Sequence, residues 1–216
     1  MTIAAHGPRM NGKPLLRGVS HQIAFFVALV GAVALLLLAR DRTALTGAAV
    51  YGASLATLFG VSALYHRRNW APAPRTLMRK LDHSAIFVLI AGTFTPFCLS
   101  LGDRGGALGL SLVWGGALLG IAQSLFWVHA PKWVVAVACV ALAWSMTPLL
   151  ARAADAHELA LLLAGGLLYS AGAVIYALKR PDPAPAVFGY HEVFHALVIA
   201  GSACHYAAVV PMVRAL

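Results

Sequence analysis

Seven stretches free of Asp, Glu, Lys and Arg partition this sequence. They lie at about 19–39, 43–65, 83–102, 105–128, 133–151 and 159–178, and the last, read as a helix over 191–213, is charge-free from Val193. A helix needs roughly 20 residues, with a range near 17–25, to cross a hydrocarbon core, and every stretch fits. Each is apolar around its whole circumference, as lipid contact and bundle burial require, and none shows the alternation of a barrel strand. Only 11% of the chain is charged, against roughly 25% in a soluble domain, which leaves no room for a separate soluble unit. The expected fold is all-α: one domain over residues 1–216, an integral membrane bundle of seven transmembrane helices behind a cytoplasmic segment 1–18. Pro96 and Pro148 fall inside the third and fifth spans and are expected to kink them. The first run is longer than the roughly 7–15 apolar residues of a signal peptide and meets Arg40-Asp41-Arg42 directly, so it reads as a retained helix.

Connections are short, so neighbouring spans are antiparallel, and the basic residues divide unequally between the two sides. Arg9, Lys13, Arg17, Arg67, Arg68, Arg75, Arg79, Lys80, Lys132, Lys179 and Arg180 gather on one side; Arg40, Arg42, Arg104, Arg152 and Arg214 on the other. The richer side is cytoplasmic by the positive-inside rule, which places the N-terminus inside and the C-terminus outside. Topology thus accounts for the net charge of +9 without nucleic acid as a partner. The expected partners are membrane lipids, with anionic headgroups drawn to the basic 67–80 loop. Cys98, Cys139 and Cys204 sit in apolar runs without a C-x-x-C pattern and read as buried thiols.

Ionisable residues in or at the rim of a membrane helix are costly and point to function. His66 stands at the cytoplasmic end of the second span, with Ser62 one turn deeper. Asp82 and His83 open the third, His191 and His195 start the seventh, and His21 opens the first. Four helices therefore bring polar side chains to a similar depth. His191 and His195, four apart, share one helix face and can bind one ion, and His66 is at the level for a third ligand. Three imidazoles on zinc leave a fourth position for water, the pattern of a catalytic site, and zinc brings that water's pKa near 7. Asp82 would hold or deprotonate the water, and Ser62 would donate to a substrate oxygen or orient a ligand. Each residue also has a plainer role open to it: Asp82 as a helix N-cap, Ser62 bonded to its own backbone, His66 as an interfacial histidine. His205 lies roughly 21 Å beyond His191 along the helix and suits packing or hydrogen bonding instead, while His6, His129 and His157 carry no signal.

SALYH (62–66), LDHSAIFVLIAGTFTPF (81–97) and GYHEVFHALVIAGSACHYAAV (189–209) closely resemble the hemolysin III family. That family is the bacterial branch of the progestin and adipoQ receptor superfamily, which includes the adiponectin receptors. The resemblance covers nearly the whole chain and implies seven helices with the N-terminus inside, in the bacterial inner membrane. It places a Ser-x3-His motif on Ser62 and His66, an aspartate on Asp82 and a His-x3-His motif on His191 and His195. By that resemblance the three histidines bind Zn2+ and the aspartate contacts the zinc-bound water. Similarity of the superfamily to alkaline ceramidases implies hydrolysis of a lipid amide; the bacterial members are linked by name to cytolysis, and some to membrane lipid homeostasis.

His191-Glu192-Val193-Phe194-His195 also matches H-E-x-x-H, in which Glu192 would be the base of a zinc protease. No Asp or Glu follows Glu192, and Val198 and Gly201 stand where the fuller motif needs Gly and His, so Glu192 reads as incidental to chemistry. Three functions stay open on the sequence. One is a zinc hydrolase of lipid amides or esters. The second is a receptor-like regulator with a structural zinc. The third is a pore or cytolysin, although a pore needs a polar path across the bilayer and the outer half offers little besides His205.

Overall fold

A computed structural model describes residues 13–216. Its helices, in chain order, are α1 (Val19–Leu38), α2 (Arg42–Arg67), α3 (Pro72–Leu101), α4 (Arg104–Phe126), α5 (Lys132–Ser145), α6 (Thr147–Ala153), α7 (Ala156–Leu178) and α8 (Tyr190–Ala215). They make seven segments long and apolar enough to cross a membrane, because α5 and α6 together form the fifth. No β-strand occurs among the described residues; Ala184 and Phe188 form one isolated bridge.

Local sequence explains where these helices start. Asp41, Asp103 and Asp155 are N-caps whose carboxylates accept from the backbone N–H of Ala44, Gly106 and Glu158 at 2.8, 2.8 and 2.7 Å, satisfying donors that a helix start leaves free. The Gly106 N–H and then Arg152, whose Nη2 lies 3.0 Å from Asp103, hold the Asp103 carboxyl below its usual range. Pro72 starts α3, where its missing N–H costs nothing, and Pro148 stands in the first turn of α6, just past the break at Met146. The fifth span is therefore interrupted at Met146, two residues before its proline. α3 runs unbroken through Pro96, and α8 through Pro211, a proline the sequence reading passed over.

One boundary needs correcting. The third helix begins at Pro72, not His83, so Arg75, Arg79 and Lys80 belong to its first turns, and the α2–α3 connection is short. Charge-free runs mark what can sit in hydrocarbon, and α3 carries its charged opening turns beyond that limit.

α1 packs against α2 and α8, α2 against α3, α3 against α4, and α7 against both α5 and α8. α3 is the most enclosed span, with Phe87, Phe94 and Phe97 buried. Ile23, Val27 and Val30 of α1 and Leu118 and Leu119 of α4 face outward, as lipid contact permits. α7 and α8 approach closely where two glycines oppose: a Cβ on Gly165 would come 2.9 Å from Gly201 O, and one on Gly201 would come 3.0 Å from Gly165 O. Small residues allow such backbone approach in membranes. Gly165→Leu is expected to destabilise the fold by about 1–3 kcal/mol through overpacking, seen as a lowered melting midpoint in detergent. An unchanged midpoint would show slack between these helices.

Candidate metal centre

Two helices build a cluster of three imidazoles at the end of the bundle that holds the α2–α3 and α7–α8 connections. His66 ends α2, and His191 and His195 stand one turn apart at the start of α8. All three are buried, at 9%, 8% and 1% exposure. Their ligand nitrogens lie within 4.8 Å of one another, and His66 Nε2 is 3.1 Å from His191 Nε2. Tetrahedral zinc with Zn–N bonds near 2.0–2.1 Å sets nitrogens about 3.4 Å apart, so small side-chain adjustments bring the three onto one ion. His195 Nδ1 is buried without a hydrogen-bond partner. A buried polar atom of this kind needs an explanation, and an ion is one. The residues present fit a metal; imidazole suits copper, iron and nickel as well as zinc.

Asp82 Oδ2 lies 3.9 Å from His66 Nε2. It is not a helix cap, since α3 starts at Pro72 and Asp82 is interior to it. Ser62 is buried and pairs with His21, whose Nδ1 is 2.9 Å from Ser62 Oγ. Asp82, Ser62 and the three histidines line one cavity of about 100 Å³, walled otherwise by largely apolar groups that include Ile86, Val135, Cys139, Phe194 and Val198. Every residue the sequence nominated for the site thus comes together.

The sequence groups His21 with these residues by depth but gives it no role, and it reads Glu192 as incidental. In the fold His21 is buried, lines the cavity and stacks on His195, with ring centres 3.6 Å apart and planes within 8°. Its signal was its position at the start of an apolar helix. Glu192 is equally buried and turns away from the imidazoles: its Oε2 accepts from the Gly189 N–H at 2.8 Å, and its Oε1 accepts from Arg17. A glutamate three residues past an N-cap is the available clue. Glu192 is therefore part of the framework, with both carboxylate oxygens engaged.

The segment before α1 crosses this end of the bundle. The Leu15 and Leu16 N–H groups donate to Ala186 O and Val187 O at 3.0 and 3.1 Å, and Lys13 Nζ donates to Arg68 O at 3.1 Å. Burial and the neighbouring Arg75 and Arg17 charges lower the Lys13 pKa. Gly18, at φ 76°, caps α1 against His66; a Cβ there would stand 2.7 Å from His66 Cβ, so conformation and contact both call for glycine. His205 is remote from the cluster, with Nε2 3.1 Å from Leu162 O, the hydrogen-bonding role expected of it. His6 lies outside the described residues. The three cysteines are unpaired, Cys98 buried and Cys139 and Cys204 half-buried.

Comparison with known proteins agrees with this architecture. A family model described as "Haemolysin-III related" matches residues 10–206. The "Hemolysin-3 homolog" of Bacillus subtilis (strain 168) is 30% identical over 202 residues, covering 89% of this chain and 90% of that protein. The "Hemolysin-3" of Bacillus cereus is 31% identical over 198 residues, covering 88% and 86%. With seven apolar helices and a matching model over most of its length, the chain belongs to the haemolysin-III-related family of membrane proteins.

Proposed function

We propose that this protein is a zinc-dependent hydrolase of lipid amides, working from the cytoplasmic leaflet of the bacterial inner membrane. The observation that carries the reading is the buried His66–His191–His195 cluster, with a carboxylate 3.9 Å from His66 inside a largely apolar cavity. His66, His191 and His195 would hold the ion. Zinc in such a site supplies Lewis-acid polarisation of a carbonyl and activation of water at neutral pH.

The chain's own residues do the rest. Asp82 holds the attacking water, takes its proton and returns it to the leaving amine. Ser62 donates a hydrogen bond to the carbonyl oxygen as charge develops there. Ile86, Val135, Phe194 and Val198 receive an acyl chain and exclude bulk water. Arg67, Arg68, Arg75, Arg79 and Lys80 attract anionic headgroups and hold the bundle against the cytoplasmic leaflet.

Asp82→Asn separates catalysis from a merely structural ion. The substitution is expected to leave zinc content unchanged and to lower turnover of a long-chain lipid amide by roughly 10²–10⁴-fold, the worth of a positioned acid–base group. The checks are elemental mass spectrometry and a lipid hydrolysis assay on the same preparation. Full turnover by Asp82→Asn, or no turnover of any amide or ester by metal-loaded wild type across a broad lipid panel, would move the reading to a receptor-like protein with a structural ion. Liposome leakage that survives loss of the three histidines would move it to a pore.

A further inference from the structure

We infer that His21 is a positioning residue of this site: its Nδ1–H donates to Ser62 Oγ and so turns the Ser62 hydroxyl proton into the cavity, while its ring backs His195. The function assigned to Ser62 rests on the hydrolase reading above; the hydrogen-bond geometry does not.

The tautomer follows from what His21 touches. Nδ1 is 2.9 Å from Ser62 Oγ, and Nε2 is buried without a partner. Ser62 Oγ also faces the Asp82 carboxyl, which when ionised can only accept; a Ser62 hydroxyl that gives its proton there leaves Oγ to accept from Nδ1–H. With Nδ1–H donating, the Ser62 hydroxyl keeps its own proton to give elsewhere. Ser54, Thr93, Thr95 and Ser124 give theirs to a carbonyl of their own helix. Ser62 makes no such bond among the described residues, although it too is buried in a helix. Its proton is therefore available to Asp82 or to a substrate oxygen, which share the cavity with it.

The stacked ring has a second consequence. A metal-binding histidine ordinarily donates its other ring nitrogen to a protein acceptor, which fixes the ring. Among the described residues no hydrogen bond fixes the His195 ring. His21, face to face at 3.6 Å, supplies by packing the orientation that a hydrogen bond supplies elsewhere, and Phe59 holds His21 from its edge at 5.1 Å.

Two substitutions separate the two roles in the full-length protein. His21→Phe keeps a ring and removes the donor; His21→Asn keeps a short N–H donor and removes the ring. With cobalt(II) loaded as a probe, the His21→Phe visible spectrum is expected to match wild type and the His21→Asn bands to shift. With a fluorescent long-chain lipid amide, His21→Phe and Ser62→Ala are each expected to lose roughly 10²-fold in turnover, the worth of one donor to a developing oxyanion. The double variant should be no worse than either single one, and His21→Asn should recover most of the loss. Nitrogen NMR of labelled histidine, assigned by the signal missing in His21→Phe, should show Nδ1 protonated. Additive losses in the double variant, or an Nε2–H tautomer, overturns the inference. If wild type hydrolyses no lipid amide, the hydrolase reading fails, yet the nitrogen spectrum still decides for or against the His21–Ser62 geometry.

Discussion

His195→Ala is expected to cost more than roughly 10²-fold in zinc affinity, measured by chelator competition, and to abolish lipid amide turnover. Replacing groups that merely orient a ligand costs 10–100-fold, and His195 would be a ligand itself. It is the most enclosed of the three, at 1% exposure, with ring centres 4.4 Å from His191 and 5.1 Å from His66. His205→Ala is the matched control on the same helix. Its imidazole bonds the Leu162 carbonyl far from the cluster, so zinc content should not change. Wild-type affinity in His195→Ala would place the ion elsewhere and remove the basis of the proposed chemistry.

Glu192→Ala is expected to unfold the protein more readily, by about 3 kcal/mol, read as a lowered thermal midpoint and poor recovery from detergent extraction. Breaking a buried ion pair costs about 3–5 kcal/mol because the surviving charge is left without a partner. The lower end applies here, since Arg17 is 20% exposed while Glu192 is 2% exposed. The Gly189 N–H also loses its acceptor. Zinc and turnover per folded molecule should survive. The opposite pattern, normal stability with chemistry abolished, would revive the H-E-x-x-H protease, in which this glutamate is the base. Glu192→Gln should fall between, since an amide oxygen can still accept from Gly189 but cannot neutralise Arg17.

The same pair shows what the sequence made legible and what it hid. Spans were readable because hydrocarbon excludes charge, a property visible one residue at a time. The start of α3 was not, because Pro72 to Leu81 mixes helix formers with charges that only an interfacial position tolerates. His66, His191 and His195 were readable because helical spacing and depth together predict a meeting. Ser62 and His21 were each visible, but their 2.9 Å contact depends on the rotation of α1 against α2, which depth alone does not fix. Glu192 was misleading for a related reason. Spacing puts it between two ligands, yet its side chain leaves them for the helix start and for Arg17, a partner 175 residues away in sequence.

His66 and His191 are separated by 125 residues, and α1, made first, closes against α8, made last. During synthesis the site therefore does not exist until the final helix has left the ribosome and entered the bilayer. A chain that stops before α8 lacks two imidazoles and leaves Arg17 unanswered. A product that ends or is clipped before Tyr190 should be unable to keep an ion and should be open at that face. Under the proposed function, an ion kept by the purified protein would mark a finished molecule and not a chain merely begun.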